Sequence, residues 1–304
     1  MHNIKIALDW TPNVNHIGLF VAKELGFYQD SGIIVQIINP LEDNYSETPG
    51  KKLELDKADF AIAPFETVIS LNNKQNLVDA IAVYAILQED ISSIATLKTS
   101  GINSPKQLDH KVYASYKARY EDHIVKQVVK NDGGKGKLNI TYPNKLGIWN
   151  TLLNNQADAT WIFDNWEGIE AAGKGITLNK FALKDYQIPY GYSPVIIAKA
   201  SKIAENHSAY FNFIQATKKG YLYAIEHPKR AAEILNNFLT PHDRENINIL
   251  DAINYTAKYI GNPHTCGTMQ TERINAFLTW LVENGIESQQ ILKQHLFSND
   301  LITG

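Results

Sequence analysis

Twice in this chain an Ala-Asp pair closes a helix-patterned stretch and opens a short apolar strand. The first is Ala58-Asp59-Phe60-Ala61-Ile62 and the second Ala157-Asp158-Ala159-Thr160-Trp161-Ile162-Phe163. A carboxylate follows at the next turn in both, Glu66 in one and Asp164 or Glu167 in the other. One strand–helix plan used twice confines the chain to an α/β architecture with a parallel or mixed sheet. The surrounding sequence continues the plan. Ile4, Ile6 and Leu8 alternate with polar or small residues until Pro12, which forces its predecessor out of helical geometry. Ile17, Phe20, Val21 and Leu25 then recur at helical spacing, with Asn15 as an expected N-cap and Gly26 as a stop. Further strands are expected at 33–38, 59–63, 77–87, 111–114 and 140–142, and helices at 120–131 and 148–155. Helical patterns dominate from about Tyr210: 211–225, 228–238, 247–259 and 271–284.

Composition narrows the function classes. The 304 residues are 44% apolar and 20% charged, ordinary globular values for a chain with a substantial core. A formal charge of −3 provides no basic field, so nucleic acid is not expected as the partner. A single cysteine, Cys266, excludes an internal disulfide and a cysteine-rich metal centre. The longest apolar run, Ala80 to Leu87, is eight residues, far short of the ~20 that span a bilayer. Met1-His2-Asn3-Ile4-Lys5 leads straight into a strand, without a charged n-region, an apolar h-region or a cleavage site. The chain as written therefore carries no export signal. It is expected in the cytoplasm, or in the periplasm or at the cell surface if such a segment was removed.

Two similar α/β lobes suggest a ligand held between them, beside loops that follow parallel strands. Four segments sit at such places. Asp9-Trp10-Thr11-Pro12-Asn13-Val14-Asn15-His16 offers a stacking face, two amides and an imidazole; it also fits a proline turn with an asparagine cap. Pro64-Phe65-Glu66-Thr67 places an acid at a helix start, where it either complements the dipole or accepts from an amine. An acid there would repel the phosphate, sulfate or nitrate that a bare helix N-terminus holds. Trp161-Ile162-Phe163-Asp164-Asn165-Trp166-Glu167-Gly168-Ile169-Glu170 combines indoles and carboxylates, a set suited to a flat, nitrogen-rich ring; part of it also fits lobe core and a solvated face. Trp166 and Glu170, four apart, are expected on one helix face. Tyr190-Gly191-Tyr192-Ser193-Pro194 reads as the return to lobe one, with Tyr192 at a hinge or in a plain turn. Glycine-rich dinucleotide and Walker loops, the Gly-x-Ser-x-Gly elbow and a paired-histidine metal spacing are missing from the sequence. No cofactor or metal is expected.

The run Ala7-Leu8-Asp9-Trp10-Thr11-Pro12-Asn13-Val14-Asn15-His16-Ile17-Gly18-Leu19 resembles the opening motif of the thiamine-pyrimidine family of type II periplasmic-binding folds. Lys57-Ala58-Asp59-Phe60-Ala61-Ile62, Trp161-Ile162-Phe163 with Trp166 and Gly168-Ile169-Glu170, and Tyr192-Ser193-Pro194-Val195-Ile196-Ile197 are similar to later segments of that family. The likeness spans about residues 4 to 240; beyond it the chain reads only as generic helices. It implies two lobes joined by two crossover strands, with residues 1–91 and 191–304 in lobe one and 92–190 in lobe two. It also implies binding of a formylated aminopyrimidine, as the substrate-binding component of an ABC importer, with a permease as partner, or as a salvage receptor. The family's other activity is a pyrimidine synthase that carries a lysine holding pyridoxal phosphate, a nearby histidine and a cysteine-rich iron motif. Those positions fall at Ala63, at Thr67 and near Tyr190 to Ser193, so the resemblance leans to the binder, with a cytoplasmic synthase-like enzyme as the alternative. A third possibility is a binder of another ligand, such as an alkylsulfonate, which an acidic pocket disfavours. The implied contact set is Trp10, Asn13, His16, Phe65, Glu66, Tyr116, Trp161, Trp166, Glu170 and Tyr192. In it the ring stacks on Trp10, Trp161 or Trp166, Glu66 and Glu170 accept from the amino group and a protonated ring nitrogen, and Asn13 and His16 hold the substituent.

Overall fold

A computed structural model describes residues 1–143 and 148–303, without the side chains of 148–150. Its strands are β1 (His2–Ala7), β2 (Ile33–Ile38), β3 (Phe60–Ala63), β4 (Ala80–Ala85), β5 (Ser92–Leu97), β6 (Val112–Ala114), β7 (Asn139–Thr141), β8 (Ala159–Phe163), β9 (Leu178–Ala182) and β10 (Val195–Lys199). They form two five-stranded sheets, ordered β2-β1-β3-β10-β4 and β7-β6-β8-β5-β9. In the first, β1 lies parallel to β2 and β3, while β10 runs antiparallel to β3 and β4. The second repeats this scheme: β6 is parallel to β7 and β8, and β5 is antiparallel to β8 and β9. The chain leaves the first sheet after β4 and returns to it at β10, so two segments cross between the lobes.

This topology places the site. The loops that follow β1, β3, β6 and β8 all leave the carboxyl ends of parallel strands, where open α/β sheets hold ligands. They are the loops containing Trp10, Tyr116 and Trp166, and the one after β3 leads directly into Glu66.

The helices behind the first loop hold it in place. The Ile17–Glu24 helix lies against the long His207–Glu226 helix at a crossing of two glycines. A Cβ on Gly220 would come within 2.1 Å of the Gly18 carbonyl oxygen, and one on Gly18 within 2.2 Å of the Tyr221 ring. Only glycine admits this approach. It brings the Tyr221 hydroxyl to the Asn15 carbonyl, to which it donates at 2.6 Å. Asn15 is not the N-cap: His16 holds that position for the α-helix that begins at Ile17, and the Asn13 side chain accepts from the Asn15 amide at 2.9 Å and caps a 3-10 turn over Val14–His16.

The region after residue 240 grips both lobes. Phe277, on the Thr271–Glu283 helix, meets Tyr120 of the second lobe and Tyr190 of a crossover, with ring centroids at 6.2 and 5.5 Å. Arg273 donates to the carbonyls of Gln88 and Gly191, one in each crossover segment, and so ties the two together. Glu287 accepts from Tyr120 and Arg119 in the second lobe and from Asn73 in the first. One buried apolar cluster accordingly runs from Ala61 and Val68 through Phe277 to Tyr113 and Val125.

Replacing Gly220 with alanine is expected to cost about 1–3 kcal/mol, because the nearest atom is backbone and cannot rotate away. A lowered melting temperature checks this; an unchanged one shows that the two helices part freely.

Candidate functional site

Between the lobes lies a cavity of about 240 Å³. Its walls are aromatic and acidic. Trp10, Trp161, Trp166, Tyr116, Tyr190 and Phe163 supply the apolar surface, and Asp9, Glu66, Glu121 and Glu167 the carboxylates. Among the described residues no lysine or arginine lines it.

Each acid is held differently. Glu66 begins the Glu66–Asn72 helix after β3 and is 4% exposed. Its Oε1 accepts from the Tyr190 hydroxyl at 2.9 Å, while Oε2 is buried with no hydrogen-bond partner among the described residues. Burial pushes the carboxyl up to about 7; the bonds from its own backbone and from Tyr190 offset only part of that, and the charges of Glu121 and Asp90 add to it. Glu167 opens the Glu167–Gly173 helix after β8 and spends Oε2 on the Phe163 amide at 2.9 Å. Burial raises it also to about 7, with Glu170 and Asp243 contributing repulsion. Glu121 is a structural acid. It accepts from the Tyr113 hydroxyl at 2.8 Å and from the amides of Tyr116 and Ala118 at 3.1 and 3.2 Å, and so shapes the loop that presents Tyr116. Burial raises its carboxyl as well.

Asp9 is oriented by His16. The Asn13 amide donates to His16 Nδ1 at 3.3 Å, which leaves the ring hydrogen on Nε2, 2.8 Å from Asp9 Oδ1. Asn15 lines the cavity and also joins the lobes: its Oδ1 accepts from Asn165 Nδ2 at 2.7 Å, and the same amide donates to Thr256 at 3.0 Å.

Six of the ten expected contact residues line the cavity: Trp10, Asn13, Glu66, Tyr116, Trp161 and Trp166. The other four stand behind its wall. His16 is fully buried and acts on the cavity through Asp9. Phe65 lies in the apolar core with Val68 and Ile69. Tyr192 packs under the Arg273 guanidinium, 4.3 Å away, and its hydroxyl accepts from the Gln270 amide at 3.0 Å. Glu170 turns outward to Lys174 and His242. The reason is local. Trp166 sits at φ −126°, ψ −76°, outside the helix that begins at Glu167, so the four-residue spacing does not put Trp166 and Glu170 on one face. Glu167 takes the place expected of Glu170. Glu121 and Tyr190 also line the cavity and lie outside the expected contact set. No capping motif marks Glu121, because the residue three before it is Ala118 and Glu121 is itself the first residue of its helix. Tyr190 lacks a signal too, because residues 187–194 form no strand whose period would assign its direction.

With the geometry in place, comparison with known proteins identifies the relatives. The family described as "NMT1/THI5 like" matches residues 13–231, most of the chain. The chain belongs to that family. It is similar to a formylaminopyrimidine-binding protein of Halalkalibacterium halodurans, 22% identical over 98% of this chain and 90% of that one. It is also similar to a 4-amino-5-hydroxymethyl-2-methylpyrimidine phosphate synthase of Legionella pneumophila, 23% identical over 76% of this chain and 72% of the other. Among solved structures, the periplasmic nitrate-binding protein NrtA of Synechocystis superposes with a TM-score of 0.70 at 13% identity, covering 99% of this chain and 87% of that one. The fold is therefore the two-lobed periplasmic-binding fold anticipated from the sequence, and no described helix is long and apolar enough to cross a membrane.

The raised acids fix a pH dependence. Glu66 and Glu167 have an ordinary value of 4.5 and a folded value of about 7. Between those limits the folded chain keeps protons that the unfolded chain has released, so stability falls as pH rises through that window. Glu66→Gln removes one of these raised groups while keeping an acceptor for Tyr190. Its melting temperature is expected to fall less between about pH 5 and about pH 8 than that of the parent. Parallel profiles for the two proteins contradict this.

Proposed function

We propose that the chain binds a thiamine-related aminopyrimidine in the interlobe cavity, as the substrate-binding component of an ABC importer. The observation that carries this reading is a buried carboxyl with one oxygen unpartnered, in a cavity bounded by indoles and without a cation on its described walls. An amidine-like edge, a ring nitrogen beside an exocyclic amine, supplies the missing partner for Glu66. The ring's π-face suits Trp10, Trp161, Trp166 or Tyr116, at about 1–3 kcal/mol per stacked base. Glu167 is the second acid in reach of the ligand, and Asn13 and Asp9 face its substituent. Glu170 contributes from behind the wall.

The same features separate this cavity from an anion site. A sulfonate, nitrate or phosphate would enter against four carboxylates, with no lysine or arginine among the described residues of the wall to receive it. Ala63 and Thr67, which the family resemblance aligns with the synthase's lysine and histidine, offer neither an amine nor an imidazole for a pyridoxal cofactor. The name of the Halalkalibacterium halodurans relative supports binding as the role. In the importer role the chain acts outside the cytoplasmic membrane, its lobes 1–91 with 191–304 and 92–190 closing about the two crossovers on ligand.

Calorimetry with 4-amino-5-hydroxymethyl-2-methylpyrimidine and with formylaminopyrimidine tests the reading, beside an alkanesulfonate and pyridoxal phosphate as controls. The aminopyrimidines are expected to bind and the anions not. Glu66→Gln is expected to weaken binding about ten- to hundredfold, the worth of a charge-assisted hydrogen bond. Glu170→Ala is expected to have a much smaller effect. Binding of the sulfonate in place of the pyrimidines overturns the proposal.

A further inference from the structure

The segment after β2 was not part of any expected site, yet it reaches the cavity mouth. Tyr45 packs on Trp10 with ring centroids 5.5 Å apart and planes inclined at 56°. Its backbone is unusual: Asn44 and Tyr45 both adopt left-handed geometry, at φ 53° and 59°. Asparagine tolerates that region, but for a bulky aromatic it is an outlier that surrounding structure must enforce. Such enforced outliers gather at functional sites.

The enforcement is visible. Asn39 caps the turn at Pro40–Asp43 and exchanges bonds with Glu42. The Tyr45 amide donates to the Pro40 carbonyl at 2.8 Å, and the Ser46 amide to the Asp43 carbonyl at 3.1 Å. Beneath them the Lys52 ammonium, its side chain 9% exposed, donates to Asp43 Oδ2 at 2.5 Å and to the Glu47 carbonyl at 2.7 Å. A buried cation thus ties both ends of the strap to the first lobe. The strap holds a strained tyrosine against the most exposed of the cavity's indoles, Trp10, which is 39% exposed against 8% for Trp161 and 4% for Trp166.

We propose that Tyr45 is a positioning residue for ligand recognition: the braced strap holds it against Trp10 and fixes that indole as a flat wall of the cavity. In consequence the site favours a planar ring over a flexible chain of similar size. The ligand part of this rests on the aminopyrimidine reading above; the positioning of Trp10 does not.

Tyr45→Asn and Tyr45→Gly test it, since the left-handed backbone accepts either residue, and Tyr45→Phe is the conservative control. Without ligand, acrylamide quenching of tryptophan fluorescence is expected to rise in the Asn and Gly variants and to stay at the parent level in Phe. With 4-amino-5-hydroxymethyl-2-methylpyrimidine as probe, the Asn and Gly variants are expected to bind about three- to tenfold more weakly, the worth of one aromatic pair, and Phe about as tightly as the parent. In a Trp10→Ala background the same Tyr45 changes are expected to add nothing further. Unchanged quenching overturns the proposal, whether or not the probe binds. Unchanged affinity in Tyr45→Asn while Trp10→Ala weakens binding also overturns it, and leaves the aminopyrimidine reading standing. If the parent itself does not bind the probe, that reading fails instead, and quenching alone decides the role of Tyr45.

Discussion

A carboxyl buried between two lobes with one oxygen unpartnered is the constraint on which the rest of the site depends. Glu66 gives Oε1 to Tyr190 and leaves Oε2 buried without a partner among the described residues. Leaving such a group unsatisfied costs about 1–3 kcal/mol, more when it is charged. The free chain lowers that cost by keeping the proton, and a ligand removes it by supplying the partner. Affinity then comes from relieving a penalty built into the fold, and selectivity from the aromatic surfaces that limit the partner to a flat molecule.

Much of the remaining structure serves to hold that arrangement. The glycine crossing of the Ile17–Glu24 and His207–Glu226 helices brings Tyr221 to the Asn15 carbonyl and so sets the loop after β1. Glu121 spends both oxygens on the loop after β6. Arg273 and Glu287, from the C-terminal helical region, bond to the crossovers and to both lobes. The interlobe angle of this structure is therefore held by contacts outside the cavity. Closure becomes a shift between states that differ in these contacts, biased by whatever the ligand adds to the closed one.

The architecture was legible wherever an apolar period was strong. β1, β2, β3 and the long C-terminal helices fall where alternation and helical spacing put them. β5 and β9 did not announce themselves: Ser92–Leu97 is small and polar at its start, and Leu178–Ala182 sets Asn179 and Lys180 side by side, which breaks a period of two. Both become strands through pairing with each other, and β5 also through β8, a tertiary cause that local pattern does not carry. The site followed the same rule. The residues beside strand ends, Trp10, Glu66 and Trp161, were marked by their position after or in an apolar run. The choice of Glu170 over Glu167 turned on a helix start misplaced by one residue, a common scale of error at helix ends and here enough to exchange one acid for another. Tyr45 was invisible because its importance lies in a backbone conformation that no residue pattern predicts for tyrosine.

Proton bookkeeping on binding reaches the central claim most directly. In the proposed complex a carboxyl pushed up to about 7 by burial and a neutral aminopyrimidine would share one proton, whichever partner holds it. Above that pH the free partners lack this proton and must take it from solvent, so affinity falls about tenfold per pH unit. Calorimetry at about pH 8, in buffers of different ionisation enthalpy, reads the uptake, which is expected to approach one proton in the parent and to fall toward zero in Glu66→Gln. Tight aminopyrimidine binding with no proton taken up, and with no dependence on Glu66, would contradict a site organised around its buried acid.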